Sequence, residues 1–207
     1  MAAKAKSTGT LVLFLIGAAL VWWLNNRENL GGESAATEGG SGYAWVEHRH
    51  NDGDSFHIRN PEGEEQEIRL YYVDAPESAL KTYRDGNDNY RRVDDQAKDL
   101  GLDRNRTVKV GKMAKEWVKE TLRGKDFTVF TYGEEVFEGP RVYAFVEVQE
   151  EGKKRWLHEL LVERGLVRIH TKGAKLPDGT ARRSQEKRLR DLAKKAKAAR
   201  AGAWGLR

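Results

Sequence analysis

The stretch Asn51 to Glu77, NDGDSFHIRNPEGEEQEIRLYYVDAPE, constrains the fold more than any other part of the chain. Phe56 and Ile58 alternate with polar neighbours in SFHIR, and Glu67 to Val73 (EIRLYYV) is rich in aromatic and β-branched residues, so both runs read as strands. Asn60-Pro61-Glu62-Gly63 lies between them and reads as a turn, which makes the pair a hairpin. A tight Asp52-Gly53-Asp54 turn precedes the first strand and Asp74-Ala75-Pro76-Glu77 follows the second. Folded as a hairpin, the stretch carries Asp54, Asp74 and Glu77, with Arg69, to the ends of neighbouring strands.

Those residue types suggest a hard cation and a bound phosphate. Carboxylate oxygens with no histidine or cysteine at matching spacing favour Ca²⁺ or Mg²⁺ over zinc. Asp52 is near enough to Asp54 to hold a metal-bound water. Pro76 stiffens the turn that aims Asp74 and Glu77, and Ala75 offers only its carbonyl. Arg69 interrupts an apolar run and needs a rim position or an anion, because an unpaired buried guanidinium is costly. Arg141 opens another strand after Gly139-Pro140, and a guanidinium grips phosphate through two parallel hydrogen bonds. The plainer alternatives are a hairpin turn, a helix-starting loop, and arginines that pair with surface glutamates.

The chain has no cysteine, so disulfides and thiolate metal sites are excluded. A charged fraction of 33% beside 39% apolar residues fits a folded body rather than a disordered chain. Net charge is +5, with the basic excess in the segment after Arg141. That segment suits a polyanionic partner or a well-solvated lysine-rich helix.

Residues 1–26 differ from the rest. Lys4 and Lys6 precede an uncharged stretch from Ser7 to Asn26 with Trp22 and Trp23 near its end. As a helix this stretch spans about 30 Å, one hydrocarbon core. It is expected to be a transmembrane anchor or a signal helix. Bulky Trp22, Trp23 and Leu24 and the lack of an early small-residue site favour the anchor over cleavage near Ser34-Ala35-Ala36 or a buried soluble helix. Residues 27–42 read as a flexible Gly/Ser-rich linker, with the folded domain over 43–207.

Within that domain, Ala44 to His50 reads as a first strand. Residues 78–109 form a polar insertion, inside which Arg91 to Leu100 makes a short helix ended by Gly101. A helix over Lys112 to Leu122 precedes strands Asp126 to Tyr132 and Arg141 to Val148. Trp156 to Arg164 is a short helix, Leu166 to His170 a brief strand, and Arg182 to Arg200 a long basic helix. Leu189, Leu192, Ala193, Ala196 and Ala199 form its apolar stripe, and Trp204 is expected to plug back into the core. The order indicates an α+β, mainly β, domain: a small closed barrel with helices to one side.

The motifs DGDSF (Asp52 to Phe56), IRLYYVDAPE (Ile68 to Glu77), GPRVYAFV (Gly139 to Val146) and LHELLVERGLVR (Leu157 to Arg168) occur in one order. Together they resemble the staphylococcal nuclease, or thermonuclease, family from about Tyr43 to Trp204. The resemblance implies a five-stranded OB-fold barrel with three helices and a Ca²⁺-dependent phosphodiesterase cutting DNA and RNA to 3′-phosphate ends. It implies Asp54 and Asp74 as calcium carboxylates, the Ala75 carbonyl as a third ligand, and Glu77 as general base touching the metal through water. Asp52 and Ser55 stand behind these ligands, and Arg69 and Arg141 resemble the phosphate clamps.

The chain departs from the family pattern in several places. Ala75 replaces a threonine, Glu138 and Gly139 replace a lysine and a tyrosine, and Thr171 and Gly173 stand where base-stacking tyrosines are usual. Tyr83 or Tyr90 of the insertion are candidate replacements. The expected setting is an exported domain tethered outside the cytoplasm, or secreted after cleavage, with nucleic acid as substrate and no protein partner evident. The other readings are an inactive module of this kind that binds nucleic acid or a protein, and an OB-type binder of oligosaccharide or peptide.

Overall fold

A computed structural model describes residues 41–136 and 139–207. The expected membrane or signal helix and nearly all of the linker lie outside the described residues. Among the described residues, no helix is long and apolar enough to cross a membrane.

Alternation organises the sheet. Strand β1 (Ala44–Trp45) pairs antiparallel with β2 (Ser55–Arg59), and β2 pairs antiparallel with β3 (Glu65–Leu70). In the β2–β3 register Phe56 faces Ile68 and Ser55 faces Arg69. Side chains alternate across a strand, so this register sends Phe56, Ile58 and Ile68 into the core and puts Ser55 and Arg69 on the opposite face. The hairpin turns at Asn60, whose Oδ1 accepts from the Glu64 amide at 2.8 Å, and Gly63 adopts φ 93° there.

The run after Arg69 breaks rather than continuing as one strand to Val73. Tyr72 has φ 71°, a conformation that costs a bulky residue about 1–3 kcal/mol. Backbone hydrogen bonds hold it there: its N–H donates to Lys172 O at 2.8 Å, and its carbonyl accepts from the His170 amide at 3.0 Å. Both Tyr71 and Tyr72 are buried. The kink lets the next segment, β4 (Val73–Asp74), leave the main sheet and pair antiparallel with β8 (Arg168–Ile169), Asp74 opposite Arg168.

The main sheet runs β1-β2-β3-β6-β5, with β5 spanning Phe127–Glu135, β6 Val142–Glu150, and β7 (Lys153–Trp156) pairing with β6. The β3–β6 pairing is parallel, with Arg69 beside Tyr143. This is a curled half-barrel of six strands plus a separate pair, where a closed five-stranded barrel is the sequence expectation. The strand β7 escapes sequence reading because it is four mostly charged residues behind a tight turn at Glu151 and Gly152, both with positive φ. The expected first strand, Ala44 to His50, is limited to β1.

Among the described residues there are four α-helices rather than three: α1 (Tyr90–Leu100), α2 (Arg104–Leu122), α3 (Leu157–Glu163) and α4 (Arg182–Ala198). The extra one, α1, is the expected insertion helix, ended by Gly101 at φ 65°. Helix α2 begins eight residues before the apolar pattern does. Its start is set by a cap instead, with Asp103 Oδ1 accepting from the Arg106 amide at 2.8 Å. Leu189 and Ala196 of α4 are buried and Leu192 and Ala193 pack beside the core, while Ala199 is exposed. Trp204 joins a small cluster of Leu100, Val110 and Ala203 rather than the main core.

Two close approaches fix the site elements. A Cβ at Gly53 would lie 2.6 Å from Ala114 Cβ and 2.9 Å from Ala75 Cβ, so the DGD turn is wedged between α2 and the Asp74–Glu77 turn. A Cβ at Gly111, inside α2, would lie 2.4 Å from Pro76 O and 2.5 Å from Glu77 O. The helix therefore rests on the backbone of that turn at its one residue without a side chain.

Candidate active site

The strand ends and helices surround an open cleft of about 660 Å³, lined in part by Asp52, Asp54, Arg69, Asp74, Glu77 and Arg141. The expected metal, base and clamp candidates described in the structure all line this cleft, as do Asp52 and Ser55. They reach it from β2, β3, the Asp74–Glu77 turn and the segment before β6.

Arg69 is the hub. Its Nη2 lies 3.1 Å from Asp54 Oδ2 and 2.7 Å from Asp74 Oδ1, and its Nη1 donates to Ser55 Oγ at 3.1 Å. Arg69 is only 7% exposed, so the two carboxylates supply the counter-charge that its burial requires. Burial opposes that charge, but Asp54 and Asp74 outweigh it and hold the Arg69 pKa above its usual value. Asp54 Oδ2 also accepts from the Ala75 amide at 2.6 Å, which ties the two acidic turns together.

Asp74 is surrounded by donors. Oδ1 accepts from Arg69 and from Arg92 Nη2 at 2.9 Å; Oδ2 accepts from Gln96 Nε2 at 3.0 Å and from Arg168 Nε at 2.9 Å. Burial alone would raise its pKa, but Arg92, Gln96, Arg69 and Arg168 together lower it and keep Asp74 ionised. Asp54 goes the other way, raised by burial and by the charge of Asp74 despite Arg69. Burial, then Asp54 and Glu77, push the Asp52 carboxyl up to about 7. On the Asp52–Asp54 side of the cleft, burial first and neighbouring carboxylates second thus disfavour ionisation.

Glu77 is held at both carboxylate oxygens, by Arg92 Nε on Oε1 at 2.9 Å and by Asn89 Nδ2 on Oε2 at 3.3 Å. Arg141 touches none of these carboxylates. Its Nε is 3.9 Å from Glu67 Oε1, and its side chain is a third exposed to the cleft. Of the two arginines, Arg69 is locked in place and Arg141 is loosely held.

Among the described residues, no three histidine, cysteine or acidic side chains converge closely enough to hold a metal ion by themselves. The expected set asks less of side chains: two carboxylates, the Ala75 carbonyl, and Glu77 through water. Its chemistry suits a hard divalent cation.

Sequence reading missed Arg92, Gln96 and Arg168. The first two lie four residues apart in RRVDDQAKDL, which puts them on one helix face, and that spacing was the available signal. Arg168 lies within a recognised motif, but its role depends on the pairing of β4 with β8, which involves only two residues of each strand. The insertion residues divide. Tyr83 is about half exposed at the cleft edge, whereas the guanidinium of Arg104 covers the ring of Tyr90 at 5.0 Å. Gly173 has a packing reason to lack a side chain, since a Cβ there would lie 2.4 Å from the Tyr72 ring. Glu138 lies outside the described residues.

The sequence profile of the family described as staphylococcal nuclease homologue matches residues 67–205. The match takes in Arg69, Asp74, Ala75, Glu77 and Arg141 and begins after Asp54, which the structure nevertheless joins to Arg69 and Ala75. A search of curated proteins finds no match. The profile covers well over half of the sequence, and the chain belongs to the staphylococcal nuclease homologue family.

Proposed function

We propose that the chain is a Ca²⁺-dependent phosphodiesterase that hydrolyses DNA and RNA and leaves 3′-phosphate ends. The observation that carries this reading is Arg69 joined to Asp54 and Asp74, with Glu77 and Arg141 along the same cleft. A phosphodiester is an anion that repels an attacking water, so charge developing on its oxygens must be met by fixed donors. Arg141, exposed and weakly paired, is free to turn onto a phosphate oxygen. Arg69 stays where its carboxylates hold it and offers an edge of its fork. Glu77 takes the proton from the attacking water, the new P–O bond forms, and the bond to the 5′-oxygen breaks opposite it. A calcium ion held by Asp54, Asp74 and the Ala75 carbonyl would supply Lewis-acid neutralisation of the phosphate.

Glu77→Gln tests the role of the base. It keeps the size and the hydrogen-bonding capacity but cannot accept the proton, so kcat on single-stranded DNA should fall about a hundredfold or more while DNA affinity is kept. Unchanged kcat would remove Glu77 from the chemistry.

One observation favours a second reading. Asp74, Glu77 and the Ala75 carbonyl already have protein donors, as a module that only binds nucleic acid would have. Retained DNA binding by the wild-type protein with no cleavage under any metal condition would establish that reading.

For location, we infer from residues 1–26 that the chain is exported and anchored, with the nuclease domain outside the cytoplasm. Fractionation should find the full-length protein in the membrane. A mature N-terminus near Ala36 would instead establish cleavage.

A further inference from the structure

The catalytic roles assigned above leave one buried group on the inserted helix without a purpose. Gln96 has no exposed surface, although it is an amide on the inner face of α1 beside Val93, Ala97 and Leu100. A position filled for packing alone is served by leucine or methionine, which lose no hydration on burial. Gln96 instead uses its whole amide on the catalytic turn. Nε2 donates to Asp74 Oδ2 and to Ala75 O, each at 3.0 Å, and Oε1 accepts from the Glu77 amide at 3.0 Å. Pro76, between these residues, has no N–H with which the turn could be pinned from within. One planar carboxamide spans the proline and sets the spacing of a carboxylate, a carbonyl and a backbone amide at once.

Its neighbours on the helix act in the same direction. Asn89 at the N-cap of α1 and Arg92 and Gln96 within it stand three and four residues apart, so they lie along one side of the helix. Asn89 and Arg92 hold the two oxygens of the Glu77 carboxylate, while Gln96 holds the backbone of the same residue. We propose that this polar stripe of the insertion belongs to the active site, with Gln96 as the positioning residue that fixes Asp74, Ala75 and Glu77 as one rigid unit. The proposal rests on the phosphodiesterase reading for its consequence in rate, but not for its consequence in structure.

Gln96→Met keeps the length and volume of the side chain and removes all three hydrogen bonds. In the full-length protein, kcat on single-stranded DNA should fall at least tenfold, with KM changed less than about threefold, because a loosened turn misplaces reacting groups more than it weakens substrate binding. Without metal or substrate, hydrogen exchange at the Glu77 amide should speed up at least tenfold, while amides of the β2–β3 hairpin keep their rates. Gln96→Asn keeps an amide but is one methylene too short to span the proline. It should show the same two effects, and it serves as the test if the methionine variant does not fold.

A merely structural glutamine would lower the melting temperature and raise exchange throughout, leaving kcat of the folded fraction and the selective Glu77 signal unmoved; that outcome overturns the proposal. A wild-type protein without cleavage would overturn the phosphodiesterase reading instead. The exchange measurement would then decide alone whether Gln96 fixes the turn.

Discussion

At the scale of single residues, the two clamp arginines have the same expected role but stand in opposite environments, and this separates their mutants. Arg69 is buried between two carboxylates, and Arg141 is a third exposed with one distant partner. Arg141→Lys should lower kcat by on the order of a hundredfold and leave stability within about 0.5 kcal/mol, since a surface change away from packing costs little. Arg69→Ala should abolish activity and also cost about 3–5 kcal/mol in chemical denaturation, because buried Asp54 loses its paired cation while Asp74 keeps Arg92 and Arg168. Equal stability of the two variants would contradict the buried hub. The types of these residues were legible in the sequence, since an arginine inside an apolar strand requires an anion. Their unequal burial was not, because it depends on the β3–β6 pairing and on the Tyr72 kink, which no local pattern announces.

At the scale of elements, Gly111 and His158 give the sharpest tests. Replacing glycine by alanine inside a helix ordinarily stabilises it by up to about 1 kcal/mol. At Gly111 the new methyl would meet the Pro76 and Glu77 carbonyls, so Gly111→Ala should destabilise by about 1–3 kcal/mol and reduce activity as the turn shifts. A stabilised variant would show that α2 does not rest on the catalytic turn.

His158 of α3 is fully buried, and Gln185 of α4 donates to its Nε2 at 2.8 Å, which fixes a neutral ring. Burial, helped by Arg188, pushes its pKa down to about 3. The unfolded chain therefore binds a proton below about pH 6.5 that the folded chain refuses until about pH 3. Its stabilising share is whole above pH 6.5 and falls away between those limits, by on the order of a few kcal/mol. Denaturation of the wild type and His158→Asn across that range should show a shallower acid slope in the variant; parallel slopes would mean the ring is not buried neutral. The long elements were readable from periodicity and caps. The two-residue strands β4 and β8 were not, and they bring Arg168 to Asp74.

At the scale of the whole molecule, the structure gathers nearly every described catalytic candidate into one cleft. Most of them were legible because they sit in a single hairpin and its flanking turns, with Arg141 alone coming from the segment before β6. Residues 78–109 read in sequence only as a polar insertion with a short helix, whereas the structure makes that helix, α1, part of the cleft wall, with Arg92 and Gln96 bonded to Asp74. Polar residues on a short helix look solvated when read alone, and only the tertiary contact shows that they face a buried carboxylate. The same contacts surround Asp74 with protein donors, which a calcium ion at that carboxylate would have to share. Digestion of single-stranded DNA by the purified protein with added Ca²⁺, and again after EGTA, tests the calcium role directly. The account predicts cleavage to 3′-phosphate ends that stops when EGTA is added and resumes when Ca²⁺ is restored. Equal cleavage in both conditions would contradict the calcium role, and no cleavage in either would contradict the enzyme.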